Sequence, residues 1–116
     1  MSHPSNQTLF VAGNNLEVQE ILYDALTSEF DFNQVDFKKL LSNKYLDACI
    51  KECLRLFPPI PDIARELIED VKICGFDIPK GVTTFIHLFE LHRDPKLYRD
   101  PEKYDPNRFM DGNLDT

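Results

Sequence analysis

The sequence is poor in glycine and cysteine, has no excess of positive charge and contains no long apolar run. Only four glycines occur in 116 residues, no tract is of low complexity, and 42% of residues are hydrophobic against 28% charged. This composition excludes fibrous and disordered classes and describes a chain meant to pack. The three cysteines, Cys49, Cys53 and Cys74, are odd in number and lack metal-site spacing, so reduced thiols are expected rather than a disulfide framework. Thirteen Lys and Arg against twenty Asp and Glu give a formal net charge of −7 and a pI near 4.8, which argues against nucleic acid as a partner. No apolar stretch approaches the roughly 20 residues that cross a bilayer, and the polar start from Met1 to Gln7 lacks the basic and apolar regions of a signal peptide. A mass of 13.5 kDa corresponds to one small domain.

Periodicity organises the chain into a helical half and a strand-bearing half. Residues 1 to 13 show no sustained pattern and read as a frayed lead-in. From Asn14, the positions Val18, Ile21, Leu22, Ala25 and Leu26 follow helical spacing, and Asn14 with Glu17 resembles a capping box, so a helix is expected over 14–30. A short helix is expected over 34–42, and a third over 43–57, with Leu46, Cys49, Ile50, Cys53, Leu54 and Phe57 as its apolar stripe. Pro58 and Pro59 stop that helix because neither ring supplies a backbone donor. Short strands are expected across 65–86: Leu67 to Ile73, Phe76 to Ile78 and Val82 to Ile86, with turns at Cys74-Gly75 and Pro79-Lys80-Gly81. One helical turn at Phe89 to His92 precedes a segment over 93–116 punctuated by Pro95, Pro101 and Pro106. That segment is too long for an ordinary loop and needs a larger body to support it. The fold class is mainly α with a small β region.

Glu52 and Arg55 stand at i and i+3 on the third helix. The helical wheel places both off the apolar stripe, beside Asp47 and Lys51, so periodicity by itself predicts a solvated pair contributing a few tenths of a kcal/mol. The surrounding strings point elsewhere. KECLRLFPPIP, ARELIEDVKICGFDIPKG and LHRDPKLYRDPEKYDPNRF, in that order, resemble the cytochrome P-450 haem-thiolate monooxygenases, with wording most similar to the family-four branch. The resemblance covers Leu16 to Phe109 and implies a partial cytochrome P-450 fold, from the helices before the Glu-x-x-Arg helix to the Pro-x-Arg-Phe segment.

By resemblance, Glu52, Arg55 and Arg108 form a buried structural triad, in which one carboxylate bridging two planar guanidiniums clamps the Pro-rich segment to the helix beneath a haem. The family usually has Glu where this chain has Asn107. Arg65, taken alone, reads as an exposed Arg on a strand edge; the resemblance makes it the ligand of a haem propionate, a role suited to a bidentate fork. Ile60, Pro61, Asp62, Ile63 and Ala64 match a stretch that lines the substrate pocket. Asp62 is unexpected there, because an acid in an apolar pocket is costly unless it is hydrogen-bonded, protonated or turned away. His87 and His92 define no common face, so packing or capping is expected and not a metal pair. Cys49 and Cys53, at i and i+4 on an apolar stripe, are expected in the core.

The resemblance implies haem as cofactor, a flavoprotein reductase and a small hydrophobic organic substrate as partners, and a place on the cytosolic face of the endoplasmic reticulum membrane. The axial Cys thiolate that supports O–O cleavage in such enzymes belongs after the Arg-Phe segment, where this sequence has no cysteine. The long helix with an acid-Thr pair and a membrane anchor are also not found. Two expectations follow. In one, the chain is an internal fragment of a monooxygenase that inserts one oxygen atom from O2 into its substrate, and the fragment alone is inactive, soluble or aggregation-prone. In the other, it is a small non-catalytic interaction module that binds through orphaned apolar faces.

Overall fold

A computed structural model of the chain describes residues 4–29 and 36–110. Five helices and four strands follow in chain order: α1 (Pro4–Gly13), α2 (Leu16–Glu29), α3 (Phe37–Leu41), α4 (Lys44–Leu56), β1 (Asp62–Glu66), β2 (Val71–Ile73), β3 (Phe76–Ile78), β4 (Thr83–His87) and α5 (Leu88–Leu91). A 3-10 turn, Pro106–Phe109, closes the described chain.

Helix α4 is the element on which α1, α2, α3 and the closing 3-10 turn pack. Asn43 caps its start by accepting from the Leu46 N–H at 2.9 Å, as N-cap side chains do, and its amide reaches Glu29 Oε2 at 2.9 Å, tying the end of α2 to the start of α4. The helix ends at the predicted Pro-Pro step. Its buried face differs from the expected stripe. Tyr45, Ala48, Cys49, Glu52, Cys53, Arg55 and Leu56 are buried, whereas Ile50, Leu54 and Phe57 are each 37% exposed. The buried row thus has the predicted spacing displaced by one residue, about 100° around the helix. The cause is tertiary: the chain around Tyr104 to Arg108 lies against the side of α4 that carries Glu52, so charged residues are covered there.

The lead-in is a correction. Residues 4–13 form α1, and Val11 enters a core cluster with Cys53, Leu56 and Tyr104, against which Val18 of α2 packs. A helix with a weak apolar face of its own is stabilised by tertiary packing against α4 and α2, which periodicity does not register. The capping box is a second correction. Helix α2 begins at Leu16, and the amides of Asn14 and Asn15 donate backwards to the carbonyls of Phe10 and Val11, both at 2.8 Å. They satisfy the end of α1 rather than the start of α2. Residues 30, 34 and 35 of the expected first two helices lie outside the described residues; α3 is capped by Asp36, which accepts from the Lys38 N–H at 2.9 Å.

The strands make two separate antiparallel pairs, β1 with β4 and β2 with β3. The β2–β3 hairpin turns on Cys74 (φ 50°) and Gly75 (φ 87°) between the partners Ile73 and Phe76. Two consecutive positive φ values give the twist that a two-residue hairpin needs. Strand β1 begins before the expected region of 65–86 and overlaps it at Arg65 and Glu66, and the predicted strand from Leu67 is limited to Val71–Ile73. Asp62–Glu66 has little strand propensity, and its conformation comes from pairing with β4, about twenty residues away.

Candidate functional site

At the centre of the molecule, one carboxylate gathers four donors. Arg55 Nε donates to Glu52 Oε2 at 2.7 Å and Arg55 NH2 to Oε1 at 2.8 Å, a bidentate fork within one turn of α4. Oε1 also accepts from Arg108 Nε at 3.2 Å and from the Asp105 N–H at 2.9 Å. Glu52 is wholly buried, Arg55 is 2% exposed and the Arg108 side chain 13%. The helical wheel's solvated pair is therefore a buried one, covered by a segment 50 residues later in the chain.

The remaining guanidinium donors read the main chain. Arg55 NH1 donates to the carbonyls of His92 and Pro101, both at 2.7 Å, and NH2 to that of Lys103 at 3.3 Å. All five N–H groups of the fork are thereby occupied. Arg108 NH2 donates to the Asp100 carbonyl at 2.8 Å. Asp100 holds φ 46°, a conformation uncommon for a residue with a side chain, and this bond helps to fix it. His92 returns the contact, its Nδ1–H donating to the Arg55 carbonyl at 3.1 Å, while the Tyr98 ring lies 5.1 Å beneath the Arg55 guanidinium. Tyr104 is buried, and its hydroxyl donates to the Cys49 carbonyl at 2.9 Å. Burial pushes the Tyr104 phenol well above its ordinary range and the Cys49 thiol up to about 11. A carboxylate engaged in this way neutralises and orients two cations that hold an irregular segment in place.

Sequence reasoning did not single out His92, Tyr98 or Tyr104 as partners of the triad. Tyr104, an aromatic between two prolines in a polar segment, was the one with a readable signal. The carbonyls of Asp100, Pro101 and Lys103 carry none, since every residue has one.

The second constellation is the β1–β4 pair. Its register places Asp62 opposite His87, Ile63 opposite Ile86, Ala64 opposite Phe85 and Arg65 opposite Thr84. Side chains alternate along a strand, so Ile63 shares a face with Arg65, while Asp62 and Ala64 lie on the other. The five residues matched to a substrate wall are thus not on one surface. Asp62 is paired: His87 Nδ1–H donates to its Oδ1 at 2.6 Å. Arg65 is exposed and donates only locally, from NH1 to the Ala64 carbonyl at 2.9 Å, with no carboxylate in ion-pair reach among the described residues. His87 and His92 sit at opposite ends of α5, engaged with Asp62 and Arg55 respectively. Cys49 and Cys53 are buried within α4, and Cys74 is exposed at the β2–β3 turn.

Comparison with known proteins agrees with this architecture. The family model described as Cytochrome P450 matches residues 1–115. The chain is 41% identical over 110 residues to cytochrome P450 4V2 of Rattus norvegicus, covering 93% of this chain and 21% of that protein. It is 38% identical over 109 residues to cytochrome P450 4c3 of Drosophila melanogaster, covering 91% and 20%. The solved structure of retinoic acid-bound cyanobacterial CYP120A1 superposes with a TM-score of 0.88 at 32% identity, covering 97% of this chain and 26% of that one. The chain spans about a fifth of the length of the curated relatives it matches. The fold is shared along nearly the whole chain with that solved structure, and the chain belongs to the cytochrome P450 family, with its relatives in the family-four branch.

Proposed function

We propose that the chain forms the propionate-side support of a haem-thiolate monooxygenase. The observation that carries this reading is Arg65: an exposed guanidinium held on a paired strand, without a carboxylate among the described residues to neutralise it. That is the condition in which a fork is available to an anionic ligand such as a haem propionate. The described residues fit the haem on this side only. Cys49 and Cys53 are enclosed in α4 and Cys74 stands at a hairpin tip, so an axial thiolate would come from other residues of the enzyme. Thiolate-ligated haem, when bound, supplies the activation of dioxygen.

This chain's own residues orient and support. Arg65 would hold a propionate. Ile63, on the same face, with Ile60 and Pro61 on the lead-in to β1, would contribute apolar surface to a substrate wall, while Asp62 and Ala64 face away from it. This removes the difficulty of an acid in an apolar pocket, since Asp62 is satisfied by His87 on the other face. The Glu52, Arg55 and Arg108 network would keep the segment from His92 to Phe109 fixed against α4. In the whole enzyme the reaction is insertion of one oxygen atom from O2 into a small hydrophobic organic substrate, with electrons from a flavoprotein reductase, at the cytosolic face of the endoplasmic reticulum membrane. Among the described residues no helix is long and apolar enough to cross a membrane.

The test is haem retention. In the enzyme that contains this segment, Arg65→Ala is expected to weaken haem binding while the reduced carbon-monoxide spectrum of the remaining holoenzyme keeps its thiolate-type band. Unchanged haem affinity overturns the assignment. The 116-residue chain alone is expected to give no thiolate-type band when mixed with haem, reductant and carbon monoxide.

A further inference from the structure

The sheet that carries Arg65 lacks the usual determinants of register. Strands β1 and β4 are joined by the 16 residues from Leu67 to Val82, which include the whole β2–β3 hairpin, so no tight turn aligns them. Within this chain burial does little to fix the register either: in each strand one residue is half-buried and four are exposed. A ladder of that kind is prone to slip, and a slip of one residue sends every side chain to the opposite face. For Arg65 this would reverse the direction of the guanidinium.

Two side-chain bonds join the strands, and both connect ladder partners. The Thr84 hydroxyl donates to the carbonyl of Arg65 itself at 3.0 Å. His87 Nδ1–H donates to Asp62 Oδ1 at 2.6 Å. With side chains 64% and 50% exposed, His87 and Asp62 contribute little to global stability. Their bond discriminates between alignments instead. Displaced by one residue in either direction, Asp62 would face Ile86 or Leu88, neither of which can donate to it.

We infer that Asp62 and His87 are positioning residues for Arg65: their bond sets the β1–β4 register and so aims the guanidinium at the haem propionate. The inference rests on the propionate reading of Arg65 given above. Leu67 N–H donates to the Val82 carbonyl at 3.0 Å and its carbonyl accepts from the Gly81 N–H at 2.8 Å, so Leu67 is a hydrogen-bonded position continuing the ladder. Alternation then makes Asp62 with His87, and Ala64 with Phe85, the closely spaced non-hydrogen-bonded kind, at which paired cysteines can close a disulfide.

The experiment measures haem loss to excess apomyoglobin from the holoenzyme that contains this segment. His87→Ala is expected to accelerate loss roughly tenfold, the scale seen when a residue supporting a ligand is removed, and His87→Asn, whose amide can still donate to Asp62, to restore the native rate. The double variant Asp62→Cys/His87→Cys is expected to hold haem like the native enzyme when oxidised and to leak like His87→Ala when reduced. Register is read separately through Ala64→Cys/Phe85→Cys, which should cross-link efficiently in the native background and poorly with His87→Ala. Unchanged cross-linking in that background, or an oxidised double variant as leaky as the reduced one, overturns the inference. If Arg65→Ala leaves haem loss unaltered, the propionate reading fails, and the cross-link yield still decides whether the pair sets register.

Discussion

Arg55 and Glu52 are joined by two parallel bonds of 2.7 and 2.8 Å across a single helical turn, with 2% and 0% of their side chains exposed. Arg108 approaches the same carboxylate by one bond of 3.2 Å and is more open to water. The two arginines therefore differ in consequence. Arg55→Ala removes the bidentate partner of a buried carboxylate, leaving Glu52 only the longer bond from Arg108 and the Asp105 N–H, and is expected to cost about 3 to 5 kcal/mol. Arg108→Ala leaves the fork and the Asp105 N–H in place and is expected to cost about 1 to 3 kcal/mol. Urea unfolding of the two variants checks the order; equal costs would refute it.

Arg55→Lys should behave more like Arg55→Ala than like the native protein. An ammonium offers three donors from one point, whereas the guanidinium spans the two Glu52 oxygens and the carbonyls of His92, Pro101 and Lys103. Charge is kept and geometry is lost. A Lys variant with native stability would show that charge alone is sufficient.

Alkaline pH should loosen the contact between α4 and the Tyr104 segment. Burial raises the Cys49 thiol from 9.0 to about 11 and moves the Tyr104 phenol in the same direction. The folded state therefore holds these protons more tightly than the unfolded state. For Cys49 the stability contributed is complete below pH about 9 and is lost as pH rises through about 11, and the Tyr104 phenol, raised from 10.0, adds to the loss at still higher pH. A urea midpoint that stays level across that window contradicts this. Tyr104→Phe, which removes the donor to the Cys49 carbonyl, should lower stability by about 1 kcal/mol at neutral pH.

The β2–β3 turn offers a stabilising change. Cys74 holds φ 50° directly before Gly75 at 87°, and Asn-Gly is the pair that a turn with two positive φ values favours. Cys74→Asn is expected to raise stability by about 0.5 to 1 kcal/mol, the scale of relieving an unfavourable backbone conformation. It should also abolish the fast phase of thiol labelling, since Cys49 and Cys53 are buried. A loss of stability would show that the Cys74 side chain does something the turn geometry does not require.

The end of α4 was readable, because its signal is local: Pro58 follows the C-cap Phe57, whereas the capping pair read at Asn14 and Glu17 failed, Asn14 bonding back to α1. The face α4 buries was not readable, because Ile50 and Leu54 are more apolar than Glu52 and Arg55, and only the later docking of Tyr104 and Asp105 reverses the outcome. Asp62, Ile63 and Ala64, outside the expected strand region of 65–86, did not read as strand for the same reason, the partner of β1 lying at Thr83–His87. The triad residues were legible through family wording, and no feature of the residues between positions 52 and 108 foretold their meeting. Which of Ile60 to Ala64 share the Arg65 face was hidden until a register existed to count from.

Most of what the two arginines hold is backbone. Arg55 and Arg108 together take the carbonyls of His92, Asp100, Pro101 and Lys103, groups that any amino acid would provide at those places. Positions such as Lys103, which give the forks only a carbonyl, are therefore open to drift in composition, unlike Tyr98 and Tyr104, whose rings pack against Arg55 and the core. The stretch as a whole is intolerant of a change in length. Replacing Lys103 leaves its carbonyl where it was, whereas deleting a single residue before Pro101 moves two acceptors out of reach of the fork. In this part of the molecule, spacing along the chain carries the inherited information.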